Sequence, residues 1–407
     1  MRKPLLILCF LIAWASLSFP HRAYAQLPDR LSNEARISLI TVLPGEELYS
    51  LFGHSAFRVY DPVLGLDELF NYGTFDFRDP LSFAFRFAYG KLDYMLSSES
   101  YPRSLYAYAT YEHRPVIEQV LNLSSDQVQS VYHYLSINAL PENRTYRYDF
   151  LFDNCSTRLR DVLEITLGDD IRFAPVPNPE ESFRHLLDPY VADRPFLDLG
   201  FDLLLGVQTD RVASPKEATF LPLILMESFE HATVQSAGNV QPLVARTDTV
   251  YWTPGADTPK TALPWASILM WIVFIAGAAL TASECRSGRH ANRYLDALVF
   301  GVAGVVGLVA TFMWFFTEHN VTTNNMNLLW AWPTHLIVVV LLWRRSVPGW
   351  LQVYFGAAAA VNVLTVALWW AWPQQFHSAI LPIILLLAIR STWRAYQLRH
   401  RVLAERV

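Results

Sequence analysis

A cysteine at position 155 lies where a sulfur nucleophile would be expected. Leu159, Val162 and Leu163 follow it with helical spacing, and Gly168 supplies a stop. Cys155 is therefore predicted at the first position of a helix, where free N–H groups and the helix dipole favour negative charge. A cysteine in this place has a lowered pKa and a larger thiolate fraction, as thiol catalysis requires. The alternative is an inert core thiol, because free cysteines are among the most buried residues.

A thiol nucleophile needs a base, and His54 is the candidate for this role. His54 lies in a predicted strand within residues 48–60, and Asn71 lies in the next predicted strand, residues 69–75. An imidazole accepts the proton of a thiol, and a polar side chain orients the imidazole. We therefore predict Cys155, His54 and Asn71 as the catalytic group. The alternative is a structural histidine, which is the commoner role for a single histidine on a strand.

The first 25 residues are typical of a secretory signal. Two basic residues precede an apolar run over residues 5–19, and Ala23 and Ala25 are the small residues that a signal peptidase reads. We predict a signal peptide over residues 1–25. An uncleaved membrane anchor is the alternative.

The chain after Pro264 is predicted to cross a membrane five times. Hydrophobic residues make up 52% of the sequence, and much of this excess lies in four blocks without charge. Each block is long enough to cross a hydrocarbon core of about 30 Å, and the last can cross it twice with a break at residues 372–375. The uncharged blocks are residues 264–283, 297–317, 327–343 and 346–389.

The basic residues predict the orientation of these five helices. Ten arginines follow the first, third and fifth spans, and no lysine or arginine follows the second or fourth. By the positive-inside rule, the arginine-bearing segments and the C-terminus lie in the cytoplasm. The region before Pro264 then lies in the periplasm, in agreement with the signal peptide. The predicted location is the bacterial inner membrane.

The exported region has one thiol and an acidic balance. Cys9 lies in the predicted signal and Cys285 in a predicted cytoplasmic loop, so Cys155 has no disulfide partner in its compartment. Of the 32 basic and 37 acidic residues, 10 and 4 follow Pro264. The exported region is therefore acidic, which disfavours nucleic-acid binding. The sequence has no cluster of metal ligands and no glycine-rich phosphate loop, so we predict no metal and no cofactor.

The composition divides the chain after the signal into three parts. In the first part, a strand is predicted over residues 36–43 and a helix over residues 220–234. Ser124 begins a capping box that predicts a helix over residues 124–137, and Pro189 is predicted to end a helix over residues 181–188. The predicted parts are a periplasmic α+β domain, residues 26–245; a Thr- and Pro-rich linker, residues 246–263; and a membrane domain, residues 264–407.

Three further segments allow two interpretations each. Residues 82–111 are dense in Phe and Tyr, which is typical of an aromatic core or of a surface that meets lipid. Residues 196–206 are mostly apolar and predict a buried helix or a membrane-proximal hairpin. Residues 317–327, after the second span, contain four asparagines. This composition indicates a solvated turn or a site for a lipid head group.

The motifs around the predicted catalytic group resemble the Lnb-type lipoprotein N-acyltransferases of Bacteroides-like bacteria. The order of His54, Asn71 and Cys155 is also that of circularly permuted papain-like, NlpC/P60-related folds. The resemblance covers nearly the whole chain after the signal. It implies an α+β permuted papain-like periplasmic domain followed by an all-α domain of five transmembrane helices. The motifs are residues 53–55, 71–75, 146–149 and 153–158.

The resemblance implies an acyl-transfer reaction at Cys155. Cys155 would attack a phospholipid ester and take the acyl chain as a thioester. The α-amino group of a diacylglyceryl-cysteine lipoprotein would then accept the chain. His54 would act as general base for the thiol and then for the amine, and Asn71 would orient His54.

Two neighbours of Cys155 have candidate roles in substrate binding. Asn154 could donate to the developing oxyanion, as could the backbone N–H of Cys155, but helix capping is an equal alternative for Asn154. Arg158 could meet a lipid phosphate, as could Arg160. Their alternative is a salt bridge with Asp161 or Glu164.

Two other classes of function fit the same residues. One is a membrane-tethered, NlpC/P60-like cysteine peptidase or amidase of the cell wall, which would have a polar, open groove. The other is a non-enzymatic envelope assembly protein, in which Cys155→Ala would keep full function. The sequence leaves open the lipid donor, the chain position cleaved, the acceptor and the oligomeric state.

Overall fold

The computed structural model describes residues 27–75, 86, 89–91, 93–175, 180–236, 238–254, 262–288, 292–344 and 346–404. The predicted signal peptide, residues 1–25, lies outside these residues, as do Phe83, Phe85 and Phe87 of the aromatic segment. A unit of sheet and helices extends to Tyr251, and a helical unit begins at Trp265.

The N-terminal unit is built on antiparallel strands. In the described chain these are β1 Arg36–Val42, β2 His54–Asp61, β3 Leu66–Thr74, β4 Asp93–Ser100, β5 Val116–Leu121, β6 Thr145–Arg147, β7 Ile171–Arg172, β8 Thr233–Ser236, β9 Asn239–Pro242 and β10 Val244–Tyr251. The main sheet has the order β10-β5-β1-β2-β3-β4-β6, and β7, β8 and β9 form a second sheet. The strands predicted at residues 36–43, 48–60 and 69–75 correspond to β1, β2 and β3.

Seven helices accompany this sheet in the described residues. They are α1 Tyr101–Thr110, α2 Ser125–Asn138, α3 Cys155–Leu167, α4 Phe183–Val191, α5 Pro195–Leu204, α6 Pro215–Ala218 and α7 Pro222–Glu230. The capping box predicted at Ser124 is confirmed, since Ser124 accepts from the N–H of Gln127 and the Gln127 side chain accepts from the N–H of Ser124.

Both faces of the main sheet are covered. On one face, α2, α3 and α7 enclose a core that includes Phe57, Phe70 and Leu159. On the other face, α1 lies over a smaller cluster that includes Ala56, Leu69 and Tyr101. Because β1 is central, six of its seven residues are buried, which suits a sequence in which four of the seven residues are β-branched. The buried sheet gives α3 a rigid surface against β2 and β3.

Three boundaries differ from the sequence predictions. β10 continues to Tyr251 and pairs with β5, so residues 246–251 belong to the sheet and not to the predicted linker. Pro189 does not end its helix, because α4 continues to Val191. The helix predicted over residues 220–234 ends at Glu230, and a strand follows. Local pattern alone places such ends poorly, because packing decides them.

The aromatic segment divides between core and surface. Tyr94 and Tyr101 are buried in the two cores, whereas Tyr106 and Tyr111 are exposed. Tyr89 lies edge-on to Phe312 of the helical unit, with 5.4 Å between the ring centroids. The described part of this segment therefore includes both core residues and a contact with the helical unit.

The C-terminal unit contains a helix in each of the five predicted spans. These are α8 Trp265–Ser287, α9 Arg293–Phe315, α10 His335–Leu342, α11 Leu351–Ala367 and α12 Ile380–Ala404. By length and composition, α8 and α9 could each cross a membrane, and α11 is apolar but shorter. The predicted break at residues 372–375 is confirmed, because these residues lie between α11 and α12.

A polar junction connects the two units. The segment predicted as a buried helix or hairpin is the helix α5, which packs against α8 and α9. Its last carbonyl groups accept hydrogen bonds from two buried asparagines: Asn325 donates to the carbonyl of Leu203 at 2.8 Å, and Asn327 to that of Asp202 at 2.9 Å. These two asparagines are 1% and 0% exposed. The interpretation of this loop as a solvated turn is therefore wrong for them.

Candidate active site

Cys155 is the first residue of α3, as the sequence predicts. Asn154 is the N-cap, and its side-chain oxygen accepts from the N–H groups of Ser156 at 2.8 Å and Thr157 at 3.1 Å. The hydroxyl group of Thr157 accepts in return from the N–H of Asn154 at 2.9 Å. The N–H of Cys155 makes no hydrogen bond within the described chain. The helix start thus presents a free donor beside the thiol.

A tight turn brings the chain to this helix start. Asp149 and Asp153 exchange two backbone hydrogen bonds, of 2.9 and 3.1 Å. The Asp149 carboxylate accepts from the N–H groups of Leu151 and Phe152. Its other oxygen accepts from Asn320 of the helical unit at 3.0 Å. This turn therefore fixes the direction in which Cys155 enters α3.

His54 lies at the start of β2, opposite Val42 of β1. The preceding Gly53 has a φ of 85°, and a Cβ there would lie 3.0 Å from the carbonyl oxygen of Val42. Glycine permits this left-handed backbone and the close approach. His54 is thereby placed where α3 packs on β2, close enough to Cys155 for the two side chains to shift each other's pKa.

Asn71 is hydrogen-bonded to the imidazole of His54. Its amide oxygen lies 2.6 Å from Nε2 of His54, and its amide nitrogen donates to Glu99 at 3.3 Å. Because an amide oxygen only accepts, Nε2 carries the proton in the neutral ring, which leaves Nδ1 as the basic nitrogen. The structure therefore brings Cys155, His54 and Asn71 into one chain of contacts. Glu99 is a fourth member that the sequence did not indicate, because it lies on β4 with no nearby motif.

The pKa values of Cys155 and His54 shift in opposite directions. Burial raises the pKa of the Cys155 thiol, but the charge and hydrogen bond of His54 outweigh burial, so the pKa is lowered. Burial lowers the pKa of His54, but the Cys155 thiolate and its hydrogen bond raise it overall. These shifts favour a thiolate–imidazolium pair.

Small groups complete the surroundings of the thiolate. The N–H of Ser55 donates to the Cys155 sulfur, which further lowers the pKa of the thiol. The hydroxyl of Ser156 lies 3.9 Å from the same sulfur and donates to Ser55 at 3.3 Å. Gly73, with a φ of 95°, lies against Cys155, since a Cβ there would be 3.7 Å from the cysteine Cβ. The glycine keeps space beside the nucleophile.

Asn154 acts as a structural residue. Besides capping α3, its amide nitrogen donates to the carbonyl groups of Phe150 at 2.9 Å and Phe220 at 2.8 Å. Both of its amide protons are therefore in use. The predicted oxyanion role does not fit these hydrogen bonds, whereas the capping alternative does.

Arg158 pairs with a carboxylate, but not with either of the predicted ones. Its guanidinium group contacts Asp153 through two nitrogen atoms and lies 4.1 Å above the ring of Tyr146. The ion pair joins α3 to the turn before it. A lipid phosphate would have to share this guanidinium group with Asp153, so a role in phosphate binding stays a prediction.

An aromatic cluster surrounds the thiol, and the sequence did not assign it to the site. The rings of Tyr94 and Tyr148 are stacked at 4.2 Å, and Tyr72 and Tyr146 meet edge-on at 5.9 Å. Tyr94, Tyr146 and Tyr148 each interact electrostatically with Cys155. Tyr146 lies on β6 and Tyr148 just after it, and the motif at residues 146–149 was the signal that the sequence offered.

A second polar group lies at the junction of the two units. Asp198, Asp202 and His377 each place one potential metal-ligand atom within 4.8 Å of the others. Arg184 pairs with Asp202, and His377 lies 3.2 Å from Asp198. Each of the three side chains therefore has a polar partner, and the contact between Asp198 and His377 connects α5 to the segment before α12.

Comparisons with known protein families agree with this architecture. The family model described as the Lnb N-terminal periplasmic domain matches residues 29–188, and that described as the Lnb transmembrane domain matches residues 259–401. The chain belongs to the Lnb family, with a periplasmic domain of sheet and helices followed by a helical transmembrane domain. The predicted family is thus confirmed. None of the curated proteins matches the chain, and no solved structure matches it.

Proposed function

We propose that this protein transfers a fatty acyl chain from a phospholipid, through a thioester on Cys155, to the N-terminal amine of a diacylglyceryl lipoprotein. The observation that carries the proposal is the chain of contacts from Cys155 through His54 to Asn71 at a helix start. This arrangement supplies a thiolate, a proton acceptor and an orienting group. The membrane domain supports it as well, because both substrates reside in a lipid bilayer.

The first half of the reaction acylates the enzyme. The sulfur of Cys155 attacks the carbonyl carbon of the ester, while its proton resides on His54. A carbon–sulfur bond forms and the carbonyl electron pair moves to oxygen. When the intermediate collapses, the bond to the lysophospholipid oxygen breaks, and His54 gives that oxygen its proton. The backbone N–H of Cys155 donates to the oxyanion in our proposal.

The second half transfers the chain to the acceptor. The lipoprotein amine attacks the thioester carbon, and His54 takes a proton from the attacking nitrogen. The carbon–sulfur bond then breaks and restores the thiolate–imidazolium pair. No step needs a metal or a redox cofactor, because attack, proton transfer and departure involve only acyl exchange.

The proposed layout places the chemistry at the outer surface of the inner membrane. We infer a papain-like arrangement of the periplasmic domain, because the helix that begins with the cysteine packs on the strands that carry His54 and Asn71. We also infer five membrane spans over residues 264–407, each built around one of the helices α8 to α12 and the apolar residues that flank it, with a cytoplasmic C-terminus. The arginine distribution supports this orientation.

The surroundings of the thiol favour an acyl substrate over a peptide. Tyr72, Tyr94 and Tyr146 are each less than 10% exposed and form an aromatic wall on the core side of the site. Such a wall suits a hydrocarbon chain better than a polar cell-wall peptide. A tethered cysteine peptidase or amidase remains the alternative that the experiment below must separate.

Intact-mass measurement tests the proposal directly. Purified full-length protein is incubated with phospholipid, wild type beside Cys155→Ala. We expect an added acyl mass on the wild type that hydroxylamine removes, and no addition on the variant. A folded, lipid-bound wild type that gains no acyl mass would contradict acyl transfer. Cleavage of peptidoglycan fragments by the same sample would then support the peptidase alternative.

A further inference from the structure

One end of the main sheet faces the transmembrane domain. β2 begins at this end with His54 and β6 ends at it with Arg147, because the neighbouring strands between them are antiparallel. The Arg147 guanidinium group pairs with the carboxylate of Glu318, in the loop of residues 317–327. Lys91 lies 3.3 Å from the same carboxylate. The end of the sheet that carries His54 is therefore directed towards the membrane helices.

The same end of the sheet includes β1, β5 and β10. Val42 of β1 pairs with His54 of β2 and with Val116 of β5. Val116 pairs in turn with Tyr251 of β10. The β1–β2 connection, the segment before β5 and the chain after β10 thus lie together at this end. The chain after β10 continues to α8, the first helix of the transmembrane domain. All three segments therefore lie on the side of the periplasmic domain that faces the membrane.

Two contacts hold the β1–β2 connection, residues 43–53, beside a helix of the junction. The ring of Phe52 lies 6.2 Å from that of Phe201 in α5. Arg194, just before α5, donates to the backbone carbonyl of Glu46 at 2.5 Å. α5 itself packs against α8 and α9. The connection therefore lies next to the helix through which the periplasmic domain rests on the transmembrane helices.

Four large apolar or aromatic side chains at this end of the sheet are exposed. We call them the docking surface: Leu48, Tyr49, Tyr111 and Trp252, which are 62%, 70%, 73% and 38% exposed. Three of the four are tyrosine or tryptophan, which combine an apolar ring with a polar tip and are enriched where a bilayer meets water. Glu46 and Glu47, also exposed, precede Leu48. The surface therefore suits the head-group region of a bilayer and not its hydrocarbon core.

We propose that the docking surface rests on the lipid head groups of the periplasmic leaflet, beside the transmembrane domain. The occupant is a bilayer because the surface continues the end of the sheet that contacts the transmembrane domain through Lys91 and Arg147. A bilayer around the transmembrane helices extends to the ends of β1, β5 and β10 on the same side. His54 directly follows the β1–β2 connection, so the contact places the start of β2 next to the lipid surface. This inference goes beyond the proposed function, because a membrane-tethered peptidase would be held in the same way.

The test measures which solvent surrounds the docking surface in full-length protein reconstituted into phospholipid bilayers. Leu48→Cys, Tyr111→Cys and Val63→Cys are each made in a background without the native cysteines and labelled with a nitrobenzoxadiazole fluorophore. Val63 is the matched control, because it is 60% exposed and follows the other end of β2. β2 has eight residues, so its two ends are about 23 Å apart. The quenchers are a phospholipid with a nitroxide on its head group and iodide in the water.

The two quenchers give opposite orders if the proposal is correct. We expect the nitroxide lipid to quench the labels at positions 48 and 111 at least about twofold more than the label at position 63, and iodide to show the reverse. If either label at the docking surface is quenched like the label at position 63, that surface lies in water and the proposal is overturned. The surface is then available to a soluble partner.

This result does not depend on acyl transfer, because Cys155 is absent from every labelled protein. The intact-mass measurement on the wild type tests the proposed function separately. A docking surface in water with an acylated wild type overturns this inference alone, whereas a docking surface at the head groups with no acylation overturns only the proposed function.

Discussion

At the scale of single residues, the site depends on the coupling between Cys155 and His54. Each of them is partly buried, and the loss of solvent alone would favour the neutral form of both. The attraction between the two groups outweighs the effect of burial on both pKa values, and the N–H of Ser55 adds to the stabilisation of the thiolate. Asn71 and Glu99 then fix which ring nitrogen meets the thiol. Reactivity is therefore a property of four side chains from β2, β3, β4 and α3 together.

This coupling predicts the pH dependence of Cys155 reactivity. The thiol pKa is lowered and the His54 pKa is raised, so both shifts favour the thiolate–imidazolium pair over the neutral pair. Wild-type Cys155 should therefore react with iodoacetamide at a pH well below the usual thiol pKa of about 8.5. In His54→Ala the thiol loses its main stabilising partner, so alkylation near neutral pH should fall at least tenfold and recover at alkaline pH.

A rate-against-pH profile of both proteins makes the measurement. His133→Ala is a suitable control, because His133 lies on α2, outside the site. An alkylation profile of His54→Ala that coincides with that of wild type would show that the two residues are not coupled.

At the scale of elements, the start of α3 is held by more than an ordinary cap. Asn154 satisfies two N–H groups of the helix and two carbonyl groups, of Phe150 and Phe220. The carbonyl of Phe220 comes from the chain just before α7, 66 positions away. One side chain therefore fixes the helix, the turn before it and a distant segment.

We predict that Asn154→Ala lowers the free energy of unfolding by about 2 kcal/mol, because it removes a cap and leaves two buried carbonyl groups without donors. Denaturant unfolding of the detergent-solubilised protein checks this value. Ser124→Ala removes the cap of α2, which is remote from the thiol, and should lower the free energy of unfolding by only about 1 kcal/mol. If Asn154→Ala is as stable as wild type but is acylated slowly, the predicted oxyanion role of Asn154 is supported instead.

At the scale of the whole molecule, the two units contact each other through buried polar groups. Asn327 donates to the carbonyl of Asp202 at 2.9 Å and accepts from the indole of Trp330 at 3.0 Å. Gly206 lies so close to Thr323 that a Cβ would be 1.9 Å from its carbonyl oxygen. Asp149, in the turn before Cys155, contacts Asn320 of the same loop. The loop of residues 317–327 thus positions the periplasmic domain relative to the helical transmembrane domain.

We predict that Asn327→Ala separates lipid chemistry from thiol chemistry. The variant loses the hydrogen bond from Asn327 to the carbonyl of Asp202, which loosens the junction. Acylation by phospholipid should therefore fall several-fold, while acylation by p-nitrophenyl octanoate stays near the wild-type rate. Asn324→Gly is the matched control, because Asn324 is exposed and has a φ of 55°, which glycine also adopts. If Asn327→Ala changes the acylation rate by the same factor with phospholipid and with p-nitrophenyl octanoate, the junction does not position the site.

The sequence by itself determined the local features of this protein. Helical spacing after Cys155, the capping box at Ser124 and the strands that carry His54 and Asn71 were all predictable, because each pattern spans a few residues. The uncharged blocks likewise indicated where the C-terminal helices lie.

Only the tertiary structure decided the contacts between distant segments. Glu99 is 28 positions from Asn71, and Asn327 is 125 positions from Asp202. β10 joins the main sheet through pairing with a strand more than a hundred residues earlier. Sequence periodicity reports which face of an element is buried, but it does not say what that face meets. For this reason the sequence could not predict the hydrogen-bond partners of Asn154, the location of Tyr146 or the burial of the junction asparagines.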